Sequence, residues 1–131
     1  MKHLVPAAVA ALALAFAGVA AAQPPPAHHG RSCFWRRDIV NFAAHDDNDL
    51  YVRVGVGDVY RFHMFPGCLD LSWLHRLGVR TFGDSQICEG PSANVEIINR
   101  QLSTGRQRCP VTYVRKLTPP EVAALPRDAR P

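Results

Sequence analysis

The 131-residue chain holds only four cysteines, Cys33, Cys68, Cys88 and Cys109, and no two of them form a C-x-x-C pair. That spacing argues against a zinc knuckle and against a thioredoxin-type redox motif. Its serines, among them Ser72, Ser85, Ser92 and Ser103, sit in no nucleophile elbow, so the usual sequence sign of serine hydrolysis is missing. A long basic run is missing too. The arginines are scattered and the net charge is +4, too mild and too dispersed to mark a nucleic-acid-binding protein. The cluster His45-Asp46-Asp47-Asn48-Asp49 lacks the glycine and distal glutamate of an EF-hand loop, so it reads as a turn and not as a calcium site. Asp58, Asp70, Asp84, Glu89 and Glu96 show no spacing that singles out a glycosidase pair. The expectation is a non-enzymatic protein with no cofactor.

What is present begins with export. Met1-Lys2-His3, the apolar stretch Leu4 to Val19 and Ala20-Ala21-Ala22 have the order of a secretory signal peptide, with cleavage after Ala22. The apolar stretch is too short and too rich in alanine for a membrane span, so none is expected after cleavage. Residues 23–32 are proline-rich and without periodicity, which predicts a disordered leader. Residues 33–125 then make one domain and residues 126–131 a tail. A small exported domain with an even cysteine count closes them as disulfides, and a periplasmic or secreted location follows. Of the three possible pairings, Cys33–Cys109 with Cys68–Cys88 is favoured: the first ties the domain's ends and the second closes a short excursion.

The most regular stretch is Asn48 to Phe65. Leu50, Val52 and Val54 alternate with Tyr51, Arg53 and Gly55, and Tyr60, Phe62 and Met64 alternate with Arg61 and His63. This period of two predicts an antiparallel hairpin with one face in a core. Pairing Val54 with Tyr60, Val52 with Phe62 and Leu50 with Met64 keeps the apolar set on one side, with Val56-Gly57-Asp58 as the loop and Gly57 left-handed. Further strands are expected at Ile39 to Ala44, at Val79 to Phe82 and Ser85 to Cys88 around a tight Gly83-Asp84 turn, at Asn94 to Asn99 and at Cys109 to Leu117. Leu69 to Leu77 suggests one helical turn, and Gln101 to Arg108 a polar link. Thr118-Pro119-Pro120-Glu121 has the form of a capping box opening a short helix that Pro126 stops. The fold class is therefore all-β, mainly antiparallel: a small barrel or sandwich of about six strands with a short C-terminal helix. A barrel is preferred because closure removes exposed edges.

Cys33, the strand pair from Leu50 to Phe62, Cys68, Ile87-Cys88-Glu89-Gly90, the run from Cys109 to Val114 and Leu117-Thr-Pro-Pro-Glu together resemble a family of short exported bacterial proteins of unknown function. The resemblance covers residues 33 to 125. It implies a secreted or periplasmic setting and a shared four-cysteine pattern, and it assigns no catalytic residue.

The functional expectation is a monomeric, non-enzymatic binding or structural module of the cell envelope. Tyr51, Arg53, Arg61 and His63 would form the outward face of the hairpin, an aromatic and basic patch suited to an anionic glycan or lipid surface. The alternative is a periplasmic copper or zinc protein using His45, His63 and His75. Against it, His63 and Met64 are adjacent in a strand and point to opposite faces. His28-His29 lies in the leader, too mobile to fix an ion.

Overall fold

The computed structural model describes residues 30–91, 94–102 and 105–131. The expected signal peptide, its cleavage site and residues 23–29 of the leader, with His28 and His29, lie outside the described residues. The elements are β1 (Cys33–Trp35), a 3-10 turn at Arg36–Asp38, β2 (Ile39–Ala44), β3 (Asp49–Val54), β4 (Asp58–Met64), a 3-10 turn at Leu71–Trp73, β5 (Gly78–Thr81), β6 (Gln86–Cys88), β7 (Gly90–Pro91), β8 (Val95–Leu102), β9 (Gly105–Lys116), α1 (Pro119–Ala124) and a last 3-10 turn at Arg127–Ala129. One antiparallel sheet in the order β2-β3-β4-β9-β8-β5 curls into a half-barrel, with β7 paired to β9 as well. β1 and β6 make a separate two-stranded sheet. No helix among the described residues is long and apolar enough to cross a membrane.

The alternation in β3 and β4 does what a half-buried pleat requires. Leu50, Val52, Phe62 and Met64 are completely buried, while Tyr51, Arg53, Arg61 and His63 are only partly covered. The register is offset by two residues from the expected one. Leu50 faces Phe62, Val52 faces Tyr60 and Val54 faces Asp58, so the loop is Gly55-Val56-Gly57 and the left-handed residue is Gly55, at φ 59°. A two-residue slip leaves every side chain on its own face, so hydrophobic alternation cannot distinguish the two pairings.

β1 and β6 cover the concave side of the half-barrel. Their central residues, Phe34 and Ile87, are directly opposed and both buried, and the Phe34 ring lies 4.4 Å from Tyr60 and 6.3 Å from Phe62. This explains why Gly83-Asp84 does not join a hairpin. The turn is there, with Gly83 at φ 94°, but its two strands part: β5 pairs with β8 in the large sheet and β6 pairs with β1. The expected polar link is likewise strand. β8 and β9 pair out to Leu102 and Gly105, an extended ribbon whose exposed residues include Arg106 and Arg108. A polar run suits the exposed arm of a β-ribbon as well as it suits a loop.

The cysteine pairing is Cys33–Cys88 and Cys68–Cys109, not Cys33–Cys109 with Cys68–Cys88. Cys33 and Cys88 are cross-strand partners in β1 and β6, with Cα atoms 4.0 Å apart. Cys68 and Cys109 are both buried and lie 5.4 Å apart, where the chain leaving β4 meets the middle of β9. Strand pairing, not the order of cysteines along the chain, decides which sulfurs meet. No cysteine is free. Two closed bridges are the chemistry of an oxidising, non-cytoplasmic compartment.

Near Cys68 the chain is drawn against the β2–β3 turn. The Cys68 amide donates to the Asp47 carbonyl, and the Leu71 amide to the Asp47 carboxylate at 3.1 Å. A Cβ at Gly67 would sit 2.7 Å from that carbonyl, so only glycine fits this approach. Asp46 closes the turn itself, accepting the Asn48 and Asp49 amides at 2.9 and 2.8 Å.

The C-terminal segment returns over the outer side of the sheet. The Leu117 amide donates to the Val59 carbonyl, and both side chains are buried. Glu121 accepts the Thr118 amide at 2.8 Å and Arg115 Nη1 at 2.7 Å. The amide bond first, and the guanidinium after it, hold the Glu121 carboxyl down to about 2. Residues 126–131 belong to this packing, since Ala129 is fully buried and Arg130 donates to the Ala123 and Leu125 carbonyls at the C-terminal end of α1.

His45 Nδ1 and Asp128 Oδ2, 2.6 Å apart, pin this strap to the β2–β3 turn. The hydrogen bond to Asp128, then its charge, raises the imidazole from the ordinary value of 6.5, and the same contact lowers Asp128. Folding raises the His45 value, so the pair's contribution is complete below the ordinary value and is lost as pH rises through the raised one. A nuclear magnetic resonance titration is expected to place His45 above 6.5 in the native chain and back near it in Asp128→Asn. Amide protection at Ala129 and Arg130 should fall over the same pH interval. An unshifted His45 would mean that Ala129 packing alone holds the strap.

Candidate functional site

The outer face of the half-barrel gathers its polar side chains by register. In one row Asp49 of β3 faces His63 of β4, which faces Tyr113 of β9; in the next Tyr51 faces Arg61, which faces Arg115. The register is regular from Tyr60 opposite Lys116 to His63 opposite Tyr113, and a bulge follows it. The pairing of β4 with β9 shifts between His63 and Met64, so Val111 and Val114 both point into the core although they are three positions apart and regular alternation would put them on opposite faces. Thr112, inside the bulge, donates its hydroxyl to the His63 carbonyl at 3.0 Å. Tyr113 is left 46% exposed beside His63.

Arg61, His63, Tyr113 and Arg115 line a depression of about 190 Å³. Asp49 organises its β3 side, with one oxygen 2.7 Å from Arg61 Nη2 and the other 2.7 Å from His63 Nδ1. Burial alone would raise the Asp49 carboxyl; the Arg61 and His63 bonds outweigh it and hold the group below its ordinary value. The Asp49 bond in turn raises the Arg61 guanidinium. Tyr51 is raised, chiefly by burial and next by the Asp49 charge. Arg115 is tethered at its far side by Glu121. Arg61 Nε is buried and has no hydrogen-bond partner.

Of the four residues expected to form the patch, Arg61 and His63 line the depression, and Tyr51 stands next to Arg61 in the same row. Arg53 does not join them. It lies one pair further along, opposite buried Val59. Asp49, Tyr113 and Arg115 complete the site. Alternation in the last strand shows that Tyr113 and Arg115 share a face; which neighbour they meet depends on the β4–β9 register, which sequence alone does not contain. The four cysteines close into two disulfides, consistent with the four-cysteine pattern of the resemblance.

The chain belongs to the Family of unknown function (DUF6491), whose model matches residues 1–131. No curated protein and no solved structure matches the chain. Family membership thus brings no assigned chemistry, and the site has to be read from its own geometry. Two of the histidines weighed for copper or zinc have carboxylate partners, His45 with Asp128 and His63 with Asp49. Among the described residues no group of three His, Cys, Asp or Glu side chains converges. Two of the carboxylates weighed for glycoside cleavage have structural partners. Asp58 accepts Lys116 Nζ at 2.8 Å, and Glu89 accepts the Lys116 and Ser32 amides at 2.6 and 3.1 Å.

Proposed function

We propose that the protein is a periplasmic or secreted, non-enzymatic binding module of the cell envelope whose outer β3–β4–β9 face receives an anionic group on a glycan or lipid headgroup. The observation that carries this reading is the direct opposition of Arg61 and Arg115 on neighbouring strands. Like charges placed opposite each other destabilise a sheet. Here each is held by a carboxylate on its outer side, Asp49 and Glu121, so the two guanidinium groups keep fixed positions around one depression. The planar guanidinium fork of arginine matches two oxygens of a phosphate or a carboxylate. The half-exposed ring of Tyr113 offers an apolar surface with a hydroxyl, as sugar faces require. The closed disulfides and the export pattern at the N-terminus support the location.

The test is a chemical-shift titration with a phosphorylated glucosamine disaccharide and its dephosphorylated counterpart. Only the phosphorylated form should shift Tyr51, Arg61, His63, Tyr113 and Arg115, with affinity falling as salt is added. Arg115→Gln should weaken it about tenfold, as expected when one charge-assisted bond is lost. Equal binding of the two sugars, or shifts elsewhere on the molecule, would refute the reading.

A further inference from the structure

The half-barrel leaves two strand edges unpaired, and they face one another. β2 and β5 end the strand order, and a groove of about 380 Å³ runs between them, lined by Arg36, Ile39, Asn41, Phe42, Leu77 and Val79. Its floor is apolar, since Ile39, Phe42, Leu77 and Val79 are half-buried against the core. Arg36 Nη1 donates to the Val79 carbonyl at 3.1 Å, a side chain answering a backbone acceptor that β8, on the other side of β5, does not use. Past Leu77 the groove continues into a depression of about 530 Å³, where Arg76 and Arg100 stand beside Gly78 and Ile98. Neither arginine has an ion pair among the described residues.

We infer that this seam binds an extended acidic peptide segment of a partner protein as an added strand, with its carboxylates at Arg76 and Arg100. The open edges decide the first half. Unpaired backbone donors and acceptors on two facing strands are satisfied together only by another extended backbone; a helix, a sugar or an acyl chain leaves them unanswered. Alternate apolar side chains of such a strand would then lie on Ile39, Phe42, Leu77 and Val79. Charge decides the second half. A second copy of the chain would offer β2, which has no carboxylate, or β5, which brings Arg80. The residues from Gln23 to His29 contain no carboxylate, and three of them are prolines without an amide donor. This seam is separate from the Tyr113 face, so the two readings stand or fall independently.

The probe is the acetylated and amidated peptide Glu-Glu-Val-Thr-Val-Thr-Val, titrated into the full exported chain by isothermal calorimetry and amide chemical shifts. Shifts should be confined to residues 39–44 and 75–81, with slowed exchange of the β2 and β5 edge amides. Placing proline at the central valine should weaken binding at least about tenfold, because one ladder bond and the strand conformation are lost. Lysine in place of both glutamates should do the same by charge reversal, about tenfold or more. The double variant Arg76→Gln with Arg100→Gln should remove the preference for glutamate and leave the phosphosugar response of the Tyr113 face intact. The inference fails if the proline peptide binds as well as the parent, if the shifts fall on Tyr51 and Tyr113, or if no binding occurs at millimolar peptide. It also fails if the edge amides of β2 and β5 become protected with rising protein concentration alone, which would make a second copy the occupant.

Discussion

Phe62→Ala is expected to lower the free energy of unfolding by about 4 kcal/mol, a large share of the roughly 5–15 kcal/mol available to a domain of this size. Phe62 is fully buried, stands between Leu50 and Val114 in the sheet and packs 6.3 Å from the Phe34 ring. It therefore touches both layers, the half-barrel floor and the β1–β6 cover. Truncation leaves a cavity that neither layer closes easily, because Cys33–Cys88 fixes the cover and β3 and β9 fix the floor. Urea denaturation should show a lower midpoint with little change in slope. Tyr113→Ala, on the exposed outer face, is the control and should cost within about 0.5 kcal/mol. Equal losses in the two variants would mean that the core does not lie where the concave face places it.

The faces of the β3–β4 hairpin, the capping turn at Thr118 and the single turn near Leu71 were all legible in the sequence, because each rests on interactions within a few residues. Thr118 and Glu121 are three positions apart, and Leu50, Val52 and Val54 carry their own alternation. What was not legible depends on partners distant in the chain. The two-residue register offset at Val54 and Asp58 leaves the hydrophobic pattern unchanged. The separation of Gln86–Cys88 from Gly78–Thr81 is decided by Phe34, some 50 residues upstream, which pairs with Ile87 over the core. The site divides in the same way. Arg61 and His63 follow from alternation, whereas Asp49 reads in the sequence as part of the turn cluster and is in the fold the carboxylate that holds both. Tyr113 and Arg115 reach them only through the β4–β9 pairing. Barrel closure was expected because it removes exposed edges. The sheet instead remains open between β2 and β5, with Arg36 spanning the gap.

Removing Cys68–Cys109 is expected to destabilise the chain more than removing Cys33–Cys88. The bridges span 41 and 55 residues, and loop-closure entropy assigns each about 4 kcal/mol, with only a few tenths between them. Entropy alone would thus make the two losses nearly equal. Burial separates them. Cys68 and Cys109 are both buried, whereas Cys33 is exposed and Cys88 only half-buried. Alanine at 68 and 109 loses sulfur volume from packed surroundings and adds a cavity cost of about 1 kcal/mol or more to the lost cross-link. It also frees the segment from Pro66 to Leu77 whose Leu71 and Leu74 close one end of the core. The double variant Cys68→Ala with Cys109→Ala should therefore lose about 5 kcal/mol or fail to fold at 37 °C, against about 4 kcal/mol for Cys33→Ala with Cys88→Ala. In both, the urea slope should rise, because a chain with fewer cross-links exposes more surface when unfolded. Should the Cys33 and Cys88 variant prove the less stable, the cover sheet rather than the buried bridge would be the part of the fold that the cross-links chiefly protect.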